Sequence, residues 1–164
     1  NKIAEIVAAK PAGVILDLRN NPGGYLDGAV YVASEFMKEG VVVKQEGRSS
    51  SESYSVDRKG NLTGVPLVVL VNKGSASASE ITAGALQDNK RAKIVGEQSF
   101  GKGTVQEVQE LSDGSSLHVT IAKWILPSGR WIGKEGVTPD VKVEDNLETK
   151  DVDEQLEAAI SGLK

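Results

Sequence analysis

Residues 67–80 have the sequence LVVLVNKGSASASE, which predicts a buried strand followed by a turn and the start of a helix, the basis for an α/β fold. An uninterrupted apolar run is typical of a short strand buried on both faces of a parallel sheet. Small and polar residues follow, and the apolar spacing then predicts a helix over residues 77–89. Residues 14–18 and 94–95 predict two more buried strands, and residues 26–38 predict another helix. Strands that alternate with helices predict a parallel sheet with crossover helices.

The pattern changes after residue 104. Residues 104–111 and 117–125 flank the turn sequence Ser112-Asp113-Gly114, which predicts a β-hairpin appended to the α/β core. The remaining predicted elements are a strand over 41–44, a mobile loop or hairpin over the serine-, glycine- and charge-rich residues 45–64, and helices over 3–9 and 152–163.

The composition is ordinary for a globular domain and excludes several kinds of site. The chain has 164 residues, with 19 basic and 23 acidic side chains and a net charge of -4, which disfavours nucleic-acid binding. It has no cysteine and one histidine, so thiolate sites and multi-histidine metal sites are excluded. The longest apolar run, residues 67–71, is far shorter than the ~20 residues that span a bilayer. We therefore expect no nucleic-acid partner, no metal and no membrane segment.

The turn after the strand at 67–71 carries three serines at intervals of two, Ser75, Ser77 and Ser79. In open α/β sheets, ligands bind at the carboxyl ends of the strands, where these serines lie. Ser77, at the N-terminus of the predicted helix, would be close to unpaired backbone N–H groups, an environment that stabilises an oxyanion. Ser77 followed by Glu80 also fits a capping box. The residues alone leave both roles open, a nucleophile and a helix cap.

A serine nucleophile needs a base, and two side chains are candidates. His118 is the only imidazole, but its place within a predicted strand favours an ordinary surface or core histidine. Lys102 lies between Gly101 and Gly103, which allow the backbone to approach the opposite strand closely. An ordinary lysine is protonated near neutral pH, so a lysine base must be buried beside apolar groups. Gln106 shares a strand face with Lys102 and is expected to orient its amine.

The sequence around Lys102 also nearly matches a phosphate-binding loop. Gly96 and Gly101-Lys102 fit that pattern, but Gly103 stands where the loop needs a serine or threonine for magnesium. A phosphate-binding loop must also open a helix, whereas residues 104–109 are strand-like. Nucleotide binding is therefore disfavoured.

The turn Asn20-Asn21-Pro22-Gly23-Gly24 follows a predicted buried strand. Two glycines after a proline can leave a backbone N–H pointing outward at the carboxyl end of the strand. That N–H is a candidate oxyanion donor, with the N–H of Ala78 as its partner. The alternative is a plain tight turn.

Several separated motifs carry a resemblance to a known family. They are LDLRNNPGG over residues 16–24, VNKGSASASEI over 71–81, VGEQSFGKGTVQ over 95–106, PSGR over 127–130 and GVTPD over 136–140. In this order they resemble the C-terminal processing peptidases, also called tail-specific proteases, of peptidase family S41. The resemblance runs over about residues 10–163, and separated motifs in the right order are far more specific than any one of them.

The resemblance implies a fold similar to the ClpP/crotonase-like superfamily and a Ser–Lys dyad. It implies Ser77 as nucleophile and Lys102 as general base, with Gln106 orienting the lysine. It also implies an oxyanion hole formed by the N–H of Ala78 and an N–H of the glycine turn, for which Gly24 is preferred to Gly23.

The resemblance also implies a serine endopeptidase that cleaves protein or peptide substrates near their C-termini without a metal or organic cofactor. Family members usually carry a PDZ domain, a strand before the first helix and an export signal, and act in the periplasm or elsewhere outside the cytoplasm, some of them anchored to a membrane. Residues 1–164 match only the catalytic core, so we expect a longer native protein whose missing strand leaves an edge that favours homo-oligomers. The alternatives are a peptide-binding core without turnover and, by fold analogy alone, a crotonase-type acyl-CoA enzyme.

Overall fold

The computed structural model describes residues 2–145 and 152–163. Within these residues no helix is long and apolar enough to cross a membrane. The elements in chain order are α1 (Lys2–Ala9), β1 (Val14–Asp17), α2 (Leu26–Phe36), β2 (Val41–Gly47), β3 (Ser51–Ser55), β4 (Leu67–Val71), α3 (Ala78–Asp88), β5 (Lys93–Gly96), β6 (Thr104–Glu110), β7 (Ser116–Ile125), β8 (Val141–Lys142) and α4 (Glu154–Gly162).

A parallel sheet with strand order β1-β4-β5-β8 forms the centre of the molecule. All five residues of β4 are buried, because alternate side chains of this strand face two different helical layers. Val69 and Val71 pack in the cluster that contains residues of α2 and α3, whereas Val68 and Leu70 pack with Ala159 of α4. The predicted α/β core with a parallel sheet and crossover helices is confirmed.

An antiparallel sheet with strand order β3-β2-β7-β6 adjoins this core. The hairpin predicted after residue 104 is confirmed as β6 and β7. Of the two alternatives predicted for residues 45–64, the hairpin is confirmed, since β2 extends to Gly47 and pairs antiparallel with β3. The strand predicted over 41–44 is confirmed as β2, and it belongs to the antiparallel sheet because it pairs with residues 122–125 of β7. The two-residue strand β8 was not predicted.

The carboxyl ends of β1, β4 and β5 lie at one edge of the parallel sheet, and the three segments that follow them are joined by backbone hydrogen bonds. The Ala76 N–H donates to the Asn21 carbonyl at 3.0 Å, joining the segments after β4 and β1. The Phe100 N–H donates to the Ser75 carbonyl at 3.0 Å, joining the segments after β5 and β4. The motifs around residues 20–24, 72–80 and 97–103 therefore converge on one place.

Candidate active site

Ser77 lies at the corner between β4 and α3 and has a strained backbone. It is the N-cap residue of α3, with φ 54° and ψ -118°. A positive φ is uncommon for a residue other than glycine, and such strain is concentrated at functional sites. A sharp strand–turn–helix corner of this kind presents the nucleophilic serine of α/β-hydrolases. The predicted capping box between Ser77 and Glu80 is present, but a cap needs no positive φ, so the strained backbone supports Ser77 as the candidate nucleophile.

The three serines of the turn have different environments. Ser75 is fully buried, and its hydroxyl donates to the Leu18 carbonyl at 2.7 Å and accepts from the Asn72 N–H at 3.0 Å. Ser79 is also buried. Ser77 is half-buried, with buried residues on both sides of it. Ser77 is thus the one of these three serines that is accessible from solvent.

Glu80 joins the Ser77 corner to the loop that carries Lys102. Its side chain is completely buried and accepts four hydrogen bonds. The Ser77 N–H at 2.9 Å and the Lys102 N–H at 2.9 Å donate to Oε2. The Gly101 N–H at 2.7 Å and the Ser99 hydroxyl at 2.5 Å donate to Oε1. One carboxylate therefore fixes the relative position of the two backbone segments that carry the predicted dyad.

The sequence indicated Glu80 only as the partner of Ser77 in a capping box. Its bond to the Ser77 N–H is the one that a capping box expects of its glutamate. The three further bonds come from residues 19 to 22 positions later in the chain. The sequence did contain one signal for these long-range bonds. Glu80 is the acidic residue in the first turn of a buried helix, and a buried carboxylate needs several donors.

The backbone on both sides of Lys102 is fixed, but the residue itself is exposed. Trp131 Nε1 donates to the Gly103 carbonyl at 2.8 Å, and the Lys134 N–H donates to the Gly101 carbonyl at 3.2 Å. Among the described residues, no hydrogen bond joins the Lys102 amine to the Ser77 hydroxyl. The expected burial of Lys102 beside apolar groups is therefore absent from the described part of the chain, because no described element covers the side chain.

The other predicted side chains lie along the β6–β7 hairpin. Gln106 is exposed in β6, opposite Thr120 of β7. His118 is exposed in β7, opposite Val108, and its Nε2 lies 3.5 Å from the Ser116 hydroxyl. The expectation that His118 is an ordinary surface histidine is confirmed. A strand, not a helix, follows Gly103, as the argument against a phosphate-binding loop requires.

The turn after β1 distinguishes the two glycines considered as oxyanion donors. The Gly23 N–H already donates to Asn21 Oδ1 at 2.9 Å. The N–H groups of Gly24 and Ala78 make no hydrogen bond within the described residues, so both remain able to bind an oxyanion. Gly23 has φ 101°, and a Cβ atom there would lie 2.6 Å from the Ala76 carbonyl oxygen and 2.8 Å from the Ala78 nitrogen. Of the two glycines, Gly24 thus has the free N–H that the predicted donor needs, and Gly23 is the one packed against the Ser77 corner.

A cleft of about 420 Å³ opens between this turn and the start of α3. Its walls combine apolar side chains of β1 and α2 with the small residues of the two turns. The lining includes Leu16, Leu18, Gly23, Gly24, Ala29, Val32 and Ala78. An apolar cleft beside a serine can bind an uncharged side chain of a substrate.

The Gly23→Ala variant is expected to lose about 100-fold in kcat/KM, because its Cβ must push the turn away from Ser77 by roughly 1 Å. The matched comparison is Gly24→Ala, whose Cβ would meet no atom within 4 Å and which keeps its N–H. We expect a clearly smaller loss there. Steady-state kinetics of both variants, made in the full-length protein, measure the contrast. Equal activities would contradict the packing role of Gly23.

The Glu80→Gln variant is expected to lower the free energy of unfolding by about 3 kcal/mol and kcat by about 100-fold. The new amide group faces two of the four donors and cannot accept from them, and an unpaired buried donor costs about 1–3 kcal/mol. Urea unfolding and kinetics measure both effects. The matched control is Glu97→Gln, which breaks only the ion pair with exposed Lys73 and should cost less than about 1 kcal/mol. Equal effects of the two substitutions would contradict the linking role of Glu80.

The comparison with protein-family models matches residues 1–143 to peptidase family S41. The chain belongs to peptidase family S41. A carboxy-terminal-processing protease of Bartonella bacilliformis is 48% identical over 149 residues, which are 90% of this chain and 34% of that protein. A carboxyl-terminal-processing protease of Synechocystis is 46% identical over 153 residues, 90% of this chain and 36% of the relative. The resemblance to the S41 family is thereby confirmed.

Solved structures agree with this family assignment. A photosystem II D1 C-terminal processing protease superposes with a TM-score of 0.80 at 45% identity, over 85% of this chain and 36% of that one. The tricorn protease, at 17% identity and a TM-score of 0.62, shares the fold over 93% of this chain and 15% of its own. This S41 chain spans about a third of the length of the curated relatives named above. The comparisons do not favour an acyl-CoA enzyme.

Proposed function

We propose that this chain is the catalytic region of a serine endopeptidase that cleaves proteins near their C-termini. The observation that carries the proposal is the half-exposed Ser77 on a strained strand–helix corner in a chain of the S41 family. Two further features support it. The N–H groups of Gly24 and Ala78, two residues that line the same cleft, are unpaired within the described residues, and Glu80 ties the Ser77 corner to the Lys102 loop.

In the proposed reaction, the neutral amine of Lys102 removes the proton of the Ser77 hydroxyl while the serine oxygen attacks a peptide carbonyl. The N–H groups of Ala78 and Gly24 bind the oxygen that becomes negative, and the α3 N-terminus adds its positive potential. The Lys102 ammonium then gives its proton to the leaving amine, which departs as the carbon–nitrogen bond breaks. Water, deprotonated by Lys102, hydrolyses the acyl-enzyme and restores Ser77. Gln106 orients the amine in this proposal.

The exposure of Lys102 sets a condition on this proposal. A general base must be neutral when it accepts a proton, and burial away from water favours the neutral amine, so the working enzyme must cover the side chain. We infer that a bound substrate, or polypeptide beyond the residues described, supplies that cover. The curated relatives are about three times as long as the region that this chain matches.

The cleft lining is mostly apolar, which favours an uncharged substrate side chain there, and Asp17, Ser79 and Thr82 supply much of its polar part. We also propose that the protein acts outside the cytoplasm, as the family resemblance implies. Among the relatives, the C-terminal processing peptidase of Tetradesmus obliquus is chloroplastic, and it is 45% identical over 87% of this chain. Among residues 2–145 and 152–163, β1 pairs with β4 alone and is an edge strand, so association between copies through this edge remains a prediction.

Covalent labelling tests the proposed nucleophile. A fluorophosphonate probe incubated with the full-length protein is expected to add its phosphonyl mass to the peptide that contains Ser77, because only an activated serine reacts. The Ser77→Ala variant and heat-unfolded protein are the controls, and both should stay unlabelled. The assignment would be overturned if the protein cleaves peptides but the probe labels a residue other than Ser77. It would also be overturned if the protein binds coenzyme A and the probe labels no residue.

A further inference from the structure

Arg19, directly after β1, makes the densest set of charged contacts in the described part of the chain. Its Nη1 and Nη2 atoms bind the two oxygens of Asp153, each at 2.8 Å. Its Nε and Nη2 atoms bind Asp17 at 3.0 and 2.7 Å. Only 18% of the Arg19 side chain is exposed. The hydrogen bonds from Asp17 and then from Asp153 raise the pKa of Arg19 above its ordinary value.

Asp153 brings the last helix into this cluster. It is the N-cap residue of α4, and its side chain accepts from the Leu156 N–H at 2.8 Å. The bonds from Arg19 are the main cause that lowers the pKa of Asp153. The neighbouring Gln155 is buried, accepts from Arg19 at 3.2 Å and donates to the Val143 carbonyl at 2.9 Å. The guanidinium of Arg19 is thus oriented by the first turn of α4 as well as by its own strand.

The segment after Arg19 leads directly to the candidate oxyanion donor. The Asn20 N–H donates to Asn72 Oδ1 at 2.8 Å, and Asn20 has a positive φ of 55°. Asn21 accepts from Ala76 through its carbonyl and from Gly23 through its side chain. These bonds join the backbone between Arg19 and Gly24 to the segment that leads to Ser77. A displacement of roughly 1 Å in an oxyanion donor costs about 100-fold in rate.

Packing of α4 does not by itself require the Arg19 contacts. Ala159 is fully buried against Val68, Leu70 and Val95 of the parallel sheet, which supplies an apolar contact for the helix. Asp17 already provides Arg19 with a charged partner. The Asp153 carboxylate additionally fixes the orientation of the Arg19 guanidinium plane, because its two oxygens bind two guanidinium nitrogens.

We propose that Asp153 is a positioning residue for catalysis, which acts through Arg19 to fix the turn that carries the Gly24 N–H. The inference rests on the proposed peptidase function. Asp153 touches neither substrate nor the reacting atoms in this scheme. The last helix is thereby linked to the proposed oxyanion hole, although Arg19 and Asp153 are 134 positions apart in the sequence.

The test uses the full-length enzyme with the Asp153→Asn substitution, which keeps the size of the side chain and an acceptor for the helix cap but removes the charge that binds Arg19. We expect kcat per active site to fall at least tenfold, with KM within about twofold. A peptide boronate, which forms a tetrahedral adduct on the serine, should bind more weakly by a similar factor. Glu157→Gln, on the exposed face of the same helix, is the matched control and should change neither quantity.

A double-mutant cycle identifies the route of the effect. Arg19→Lys loses the paired contacts, and the Arg19→Lys, Asp153→Asn double variant should be no slower than Arg19→Lys alone. Asp153→Glu should recover part of the lost rate. If the Asp153→Asn protein has fewer active sites but the same kcat per active site, Asp153 has a merely structural role and the inference is overturned. Ser77→Ala is assayed in parallel to distinguish failure of the Asp153 inference from failure of the proposed function. Activity in Ser77→Ala would overturn the proposed function itself.

Discussion

Ser77→Ala is expected to lower kcat for peptide cleavage by about 10⁵- to 10⁶-fold in the full-length protein, with substrate binding unchanged. The hydroxyl is the atom that forms the acyl-enzyme in the proposed reaction, and no neighbouring serine can replace it. Ser75 is fully buried and its hydroxyl is bonded to the backbone, and Ser79 is also buried. Quenched-fluorescence peptide assays measure kcat, and isothermal titration with an uncleavable peptide measures binding.

Ser79→Ala is the matched control, because it removes the same atom two residues further along α3. We expect its activity to stay within about tenfold of the unmodified enzyme, since Ser79 lies in the cleft wall without a reacting role. Comparable losses in both variants would contradict the assignment of the nucleophile, and so would cleavage by Ser77→Ala.

The strained backbone of Ser77 gives a second observable for the same position. Ser77→Gly should raise the free energy of unfolding by up to about 1 kcal/mol, since glycine adopts φ 54° without the cost that a side chain incurs. The same variant should be inactive. A residue kept at the expense of stability is expected of a nucleophile and not of a helix cap, because a cap needs no positive φ.

The β4–α3 unit could be predicted because its information is local. Five apolar residues, a turn of small residues and a helical period lie within 67–89, and each local preference agrees with the final structure. The sheet to which β2 belongs could not be predicted in this way. Residues 41–47 carry the pattern of a strand in either sheet, and only the pairing with β7, far along the chain, decides between them.

In the candidate site, too, features set by local sequence could be predicted and features set by long-range contacts could not. Ser77, Ala78 and the glycine turn stand in motifs that can be recognised from the sequence alone. The three bonds that Ser99, Gly101 and Lys102 donate to Glu80 cannot, and neither can the Arg19–Asp153 contact, because they join segments that lie far apart in sequence and meet only when the strand ends converge. The exposure of Lys102 is also a property of the folded chain, since a lysine between two glycines can face either solvent or a partner.

Lys102→Ala is expected to lower kcat/KM by about 10⁴-fold or more, because the proposed reaction then has no group to accept the serine proton. Lys134→Ala is the matched control. Lys134 is an exposed lysine whose backbone bonds to Gly101 in the same loop, and its loss should leave kcat/KM within about threefold. Kinetics in the full-length enzyme measure both, with circular dichroism to verify that each variant is folded.

Lys102→Arg separates a base from a mere positive charge. An arginine keeps the charge and nearly the length of the side chain, but it cannot lose its proton in a protein. We therefore expect Lys102→Arg to be as inactive as Lys102→Ala. A small primary amine added to Lys102→Ala should restore part of the rate, in proportion to its unprotonated form as the pH is raised. Near-normal activity of Lys102→Arg would mean that the lysine acts by its charge, and the proposed Ser–Lys mechanism would be wrong even if Ser77 is the nucleophile.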